Sequence, residues 1–254
     1  MFLAIDIGNT NIVIGVYRGD ELVRQWRLST SASRTADEYV LALYGLLGAS
    51  GINRVDVTGA IVCSVVPSAD APLASALEAY LGVKPLFIGV DIMVSMPVAV
   101  DNPSEVGADR LVNAYAALKL HNPPLIVVDF GTAVTFDYIS VSGEYAGGLI
   151  APGITMAAQA LAEKTEKLPR VEVRRPARVV GKSTVESMQS GIYYGFIGLV
   201  DGVIEKIIKE VKSMPRVVAT GGLAPLVVGE SRFIKEADEH LTLKGLKFVY
   251  EGKG

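Results

Sequence analysis

The chain has 254 residues, half of them apolar, a formal net charge of −3 and one cysteine. That is enough for one large or two medium domains with an ample core. It excludes an internal disulfide, a multi-cysteine zinc site and any general attraction to nucleic acid or membrane.

In chain order, Leu3–Ile5 is an apolar run that Asp6 stops with a carboxylate, Gly8-Asn9-Thr10-Asn11 is turn chemistry, and Ile12–Tyr17 returns as a strand. This predicts a hairpin with a carboxylate and small polar groups at its bend. Two readings fit: Asp and Asn capping the turn, or a phosphate grip. The pattern recurs half a chain length later in Leu125–Tyr138, as an apolar run, Asp129, Gly131-Thr132 and a second strand. The spacing suggests two related halves, 1–120 and 121–254.

Between them, Arg18-Gly19-Asp20 predicts a turn into a strand over Leu22–Leu28, and Thr35–Leu47 and Ala69–Leu81 have helical spacing. Val55–Val66 predicts a buried strand, and Pro85–Ile88 a short one. Cys63 lies in that first apolar run and reads as a core thiol. His121 and His240 fall in polar stretches and read as surface residues. No apolar run reaches the roughly 20 residues that span a bilayer. No basic stretch precedes the first apolar segment, so no signal peptide is expected and the expected location is cytoplasmic.

Leu111, Val112, Tyr115 and Leu118 make one helical face, which puts Asp109 and Arg110 in the first turn of a helix behind Gly107-Ala108. An aspartate there is stabilised by the helix N-terminus. The same Asp-Arg pair beside a glycine also suits close reception of a polar substrate. In the second half, Gly147-Gly148 permits close backbone approach or positive φ, Pro152-Gly153 predicts a turn, and Ile154–Lys164 a helix. Leu168–Val180 is basic and extended, and reads as a solvated edge of a β element. Gly181-Lys182-Ser183-Thr184 is not a Walker phosphate loop, because Pro176 stands where the upstream glycine is required.

Thr184–Val211 is the longest helical pattern, with Gly191, Gly195, Gly198 and Gly202 set into it. Each glycine costs roughly 1 kcal/mol relative to alanine, so close contact with another helix or a ligand is expected there. Arg216–Thr220 predicts a strand that runs into Gly221-Gly222. That is an ordinary strand-to-helix turn, or a bare platform for a base and ribose.

Two strand–Asp–x–Gly–turn–strand units and a late strand–Gly-Gly resemble the actin/hexokinase/Hsp70-like superfamily of kinases and ATPases. The fold implied is α/β, with two ribonuclease H-like halves facing across an ATP cleft. Within it, Asp6–Asn11, Ser64–Pro67, Gly107–Arg110, Asp129–Ala133, Gly147–Gly153 and Thr220–Gly222, in this order, resemble type III pantothenate kinase. That resemblance implies ATP-dependent phosphorylation of pantothenate on its terminal hydroxyl to 4'-phosphopantothenate, the first step of coenzyme A biosynthesis. It implies a homodimer with the pantothenate site at the interface, and a monovalent cation (K+ or NH4+) beside Mg2+.

Carried over by position, the turn of Asp6, Ile7, Gly8, Asn9, Thr10, Asn11, Ile12 and Val13 would hold ATP phosphates, with Asp6 on the magnesium side. Thr132 would contact ATP, and Gly221 and Gly222 would form the adenosine loop. Asp109 would be the general base, Gly107, Ala108, Arg110 and Thr184 would line the pantothenate site, and Asp129 would bind the monovalent cation. One departure is Val100, where many family members carry tyrosine. Other readings are another small-molecule kinase of this fold, such as a sugar or acetate kinase, and a non-catalytic ATP-binding regulator. A substrate panel separates the first. The presence of Asp6, Asp109, Arg110 and Asp129 together argues against the second.

Overall fold

The computed structural model describes residues 1–252 and has a mixed α/β architecture with two separate sheets. The chain divides into two compact units. One comprises Met1–Ser95, Ser104–Ala116 and the chain from Thr242 onward, and the other Met96–Pro103 and Ala117–Leu241. This differs from a simple split at residue 120, because the last helix packs into the first unit.

In the first unit, β1 (Phe2–Ile7) pairs antiparallel with β2 (Asn11–Arg18), which pairs with β3 (Glu21–Ser29). On its other side β1 pairs parallel with β4 (Gly59–Ser64), which pairs with the two-residue β5 (Leu86–Phe87). Successive strand side chains point to opposite faces. Leu3, Ile5 and Ile7 pack with Tyr39, Leu43 and Leu47 of α1 (Ala36–Ala49) and with Ala69, Leu73 and Leu77 of α2 (Pro67–Leu81). Asp6 therefore belongs with Phe2 and Ala4 on the opposite face.

Helix α1 starts at a capping box. The Thr35 side chain accepts from the Glu38 N–H, and Glu38 accepts from the Thr35 N–H at 2.8 Å. Helix α2 starts on Pro67, whose missing N–H and fixed φ suit a first helical position, and ends at Gly82 with φ +68°. The strand expected over 55–66 is shorter than its apolar pattern, because Arg54–Asp56 forms a 3-10 turn first.

The last two helices of this unit are α3 (Ala108–Leu120), which begins in it, and α6 (Leu241–Glu251). In α6, Tyr250 stacks on Phe2 at 4.4 Å between ring centroids. Thr242 donates to Asn113 Oδ1 at 2.8 Å, and the buried Lys247 ammonium donates to Asp20 and Glu251, both at 2.7 Å.

In the second unit the strand order is β8-β7-β6-β9, from β6 (Leu125–Phe130), β7 (Ala133–Ile139), β8 (Tyr145–Pro152) and β9 (Arg216–Thr220). Ile126, Val128 and Phe130 pack with Ile154 and Ala158 of α4 (Ile154–Glu163) and with Met188, Ile192 and Phe196 of α5 (Thr184–Val211). Asp129 belongs to the other face, as Asp6 does in the first unit. The paired glycines lie inside β8, where Gly147 takes φ +116°. The basic segment 168–180 forms no strand, so the β edge expected there is absent among the described residues. Its Val171 and Val173 instead pack singly onto the α5 core.

Helix α5 matches the expected Thr184–Val211, with Ser183 capping its start. The close contact expected at its glycines is not present: a Cβ at Gly191, Gly195, Gly198 or Gly202 would meet nothing within 4 Å. Gly245 in α6 is the contrasting case, since a Cβ there would lie 2.5 Å from the Val112 carbonyl oxygen of α3. Gly245→Ala is therefore expected to destabilise the first unit by roughly 1–3 kcal/mol through overpacking, despite alanine's higher helix propensity. Urea unfolding read by circular dichroism checks this, and an unchanged midpoint would contradict the packing.

Candidate active site

The β1–β2 turn is built by its own backbone and anchored from outside. Gly8 N–H donates to Asn11 O at 3.0 Å and closes the turn. Thr30, just past β3, donates its N–H to Thr10 O at 2.9 Å and its hydroxyl to Gly8 O at 2.6 Å. Asn9 and Thr10 are exposed, and Asp6, Gly8 and Asn11 are half-buried, while Ile7 and Ile12 are in the core and Val13 is half-buried beside Asp6 in the ladder. Sequence reading misses Thr30, because its place depends on how β3 ends and not on any local pattern.

Asp6 pairs in register with Cys63 of β4. Burial pushes the Cys63 thiol well above the usual range, and Asp6, Asp109 and Asp70 push it further the same way. That thiol is a core group with no nucleophilic character at neutral pH.

Asp109 occupies the first turn of α3, as its spacing predicts. Its Oδ1 accepts the Arg110 N–H at 2.9 Å, and a Cβ on Gly107 would stand 2.5 Å from that same oxygen. Gly107 thus makes room for the carboxylate to fold back over the chain. Desolvation raises the Asp109 pKa from the ordinary carboxylate value, while hydrogen bonding to the Arg110 N–H and the Arg110 charge oppose the rise. Ala108 and Arg110 are half-buried beside it.

In the second unit the β6–β7 turn repeats the first. Gly131 N–H donates to Ala133 O at 3.1 Å, as Gly8 does to Asn11. Gly153 N–H donates to Thr132 O at 3.2 Å, and a Cβ on Gly153 would come within 2.2 Å of that oxygen. Glycine is thus required where α4 starts against the turn, and the Thr132 side chain is left on the exposed surface.

Asp129 pairs in register with Thr220 of β9. Gly221, at φ +92°, places the spot where a Cβ would be 2.5 Å from Asp129 Oδ1. The structure therefore brings Asp129 and the Gly221-Gly222 backbone together. Thr184 stands exposed at the start of α5. Val100 contacts β8, with its Cγ1 3.9 Å from the Cβ position of Gly147.

A family model described as type III pantothenate kinase matches residues 2–206. The chain belongs to the type III pantothenate kinase family. It is 50% identical over 251 residues to a type III pantothenate kinase of Geotalea uraniireducens, covering 99% of this chain and 98% of that one. It is 51% identical over 255 residues to a type III pantothenate kinase of Anaeromyxobacter sp. strain K, covering 99% of each. A crystal structure from Sinorhizobium meliloti, of a protein named as a 2-dehydro-3-deoxygalactonokinase, superposes with a TM-score of 0.60 at 13% identity, covering 99% of each chain. At that identity the likeness concerns the fold alone.

The raised pKa of Asp109 gives a stability prediction. Because its folded value lies above the unfolded one, the stability contributed by its neutral form is complete below the usual carboxylate range. That contribution is lost as pH rises through the folded value. Asp109→Asn removes the buried charge and keeps the acceptor oxygen. It is expected to melt at or above the wild-type temperature at pH 7–8, with the gap closing towards pH 4. A calorimetric melt series across this range checks it.

Proposed function

We propose that Asp109 is the general base of an ATP-dependent pantothenate kinase, with a phosphate-gripping turn in each unit. As a member of its family, the chain phosphorylates pantothenate in coenzyme A biosynthesis, with ATP as donor. The observation that carries the assignment is the Asp109 carboxylate, partly desolvated over Gly107 at the start of α3. A weak base suffices for phosphoryl transfer, because the transition state is loose and positioning supplies most of the catalysis. A carboxylate with a raised pKa is better placed to take the hydroxyl proton. Arg110, half-buried next to it, presents a planar fork suited to a carboxylate or phosphate oxygen. Gly107, Ala108 and Thr184 would complete the pantothenate contacts.

In this reading the exposed Asn9-Thr10 turn and its neighbours Ile7, Gly8, Asn11, Ile12 and Val13 bind the ATP phosphates by backbone and side-chain donors. Asp6 ends a strand beside that turn, and its hard oxygen donors suit Mg2+. When bound, that ion offsets phosphate charge. Thr132 is the ATP contact of the second unit. Gly221-Gly222 offers bare backbone to the adenosine. Asp129, with its carboxylate against that backbone, suits a weakly hydrated monovalent cation, K+ or NH4+.

A homodimer accounts for the apolar surface of the second unit. Ile150 is 65% exposed and Val180 79%, and Leu149, Met156, Leu161, Val179 and Val185 are exposed with them. The open glycine positions of α5 follow i, i+4, i+7, i+11 and line one face, which lets a second helix approach closely. A substrate site at such an interface would bring Thr184 into play. No helix among the described residues is long and apolar enough to cross a membrane, and a metabolic kinase of this kind fits the cytoplasm.

Asp109→Asn is expected to lower kcat by about 10²–10⁴-fold with the KM for ATP little changed. Steady-state kinetics with pantothenate checks this, and near-normal turnover would sink the assignment. A panel of sugar and acetate acceptors run beside pantothenate tests the substrate. The paired change Ile150→Asp and Met156→Asp is expected to convert a dimer to a monomer in sedimentation velocity and to abolish pantothenate turnover.

A further inference from the structure

Among the enclosed polar atoms of the first unit that meet no hydrogen-bond partner among the described residues are Arg34 Nη1, the Tyr39 hydroxyl and Asp70 Oδ1. They come from adjoining parts of the fold. Arg34 lies in the loop before α1, Tyr39 in the first turn of α1 and Asp70 in the first turn of α2. The Arg34 guanidinium stands over the Tyr39 ring, 5.3 Å from its centroid. Tyr39 is 1% exposed and shares a core cluster with Ala69 and Leu73, which flank Asp70 on α2. Burial raises the Tyr39 pKa, Arg34 lowers it and Asp70 raises it, so both charges act on this hydroxyl.

Leaving such atoms unpaired in the interior is costly. Three of them in one small region call for a shared partner. A cation there would face Arg34 and an anion would face Asp70. The two charges cancel, so the partner is small, neutral, and both donor and acceptor. Water meets each condition, and a buried water typically makes about three hydrogen bonds.

The loop carrying Arg34 is also the loop that holds the β1–β2 turn. Arg34 N–H donates to Ser31 O at 3.2 Å, and the neighbouring Thr30 makes both bonds to Gly8 O and Thr10 O. On the other side of Arg34, Thr35 is fixed by the capping box. Anchoring Arg34 to α2 therefore fixes where Thr30 holds the turn.

We propose that one ordered water joins Arg34, Tyr39 and Asp70 into a brace, and that these are positioning residues for the β1–β2 turn. The inference rests on reading that turn as the ATP phosphate turn. Arg34→Met and Asp70→Ala are each expected to raise the KM for ATP about tenfold, since small misplacements of a binding group are costly. Tyr39→Phe, which preserves the packing, raises it less. In all three kcat and the KM for pantothenate stay within about twofold of wild type, because Asp109 is untouched. The double variant Arg34→Met/Asp70→Ala is no worse than the worse single one, because a brace already cut cannot be cut again.

A high-resolution crystal structure of the full chain is expected to show water density within hydrogen-bond distance of all three atoms. Absence of that density, an unchanged KM for ATP in Arg34→Met and Asp70→Ala, or multiplicative effects in the double variant would overturn the brace. Asn11→Ala tests the phosphate-turn reading separately. An unchanged KM for ATP in that variant overturns the reading itself. A raised KM there with unchanged values in Arg34→Met and Asp70→Ala overturns the brace alone.

Discussion

A carboxylate in a partly desolvated position keeps its charge only where fixed dipoles stand in for water. Asp109 is such a carboxylate, and much of the first unit can be understood from its needs. The N-terminus of α3 points donors and a positive dipole at it, and the Arg110 N–H binds its Oδ1. Gly107 has no side chain to block that geometry. The helix carrying Asp109 is held in turn by α6, through Gly245 against Val112 and Thr242 against Asn113. The C-terminal helix thus joins the first unit and buttresses the helix that carries Asp109, although it lies more than a hundred residues away in sequence.

The two sheets solve one placement problem in the same way. In β1 and β6 alternate residues go to the helix-packed face, and the aspartate falls on the other. The turn that follows is closed by a glycine N–H in both units and anchored by a residue from elsewhere, Thr30 in one and Gly153 in the other. A carboxylate at the end of a strand cannot slide without moving the whole ladder. The turn beside it is soft, and so needs these outside anchors. Rigid acid and tied turn together suit a site whose catalysis comes mainly from positioning.

Features set by local pattern were legible in the sequence. Both hairpins, the cap-to-end span of α5, the helix that starts at Asp109 and the strand ending at Thr220 all follow from periodicity and turn chemistry over short windows. The sites on them could be named because their motifs occur in a fixed order. What was not legible depends on distant partners. The 3-10 turn before β4, the docking of α6 and the role of Thr30 are set by packing across the fold. The glycines of α5 show the limit clearly. Their spacing implied closeness, but no group of the described residues comes within 4 Å of where their side chains would be.

The fold by itself does not specify the acceptor. A protein named as a 2-dehydro-3-deoxygalactonokinase superposes over the same length at 13% identity, so shared architecture does not fix the substrate. Acceptor choice has to reside in groups added to that frame. In this chain the candidates are the Gly107–Arg110 turn and Thr184 at the exposed start of α5. Neither belongs to a sheet, and both sit at helix starts, where side chains can change without disturbing a core. If the open glycine face of α5 brings two copies together, specificity and assembly become one property. A chain that fails to dimerise would keep its phosphate turns and lose its acceptor.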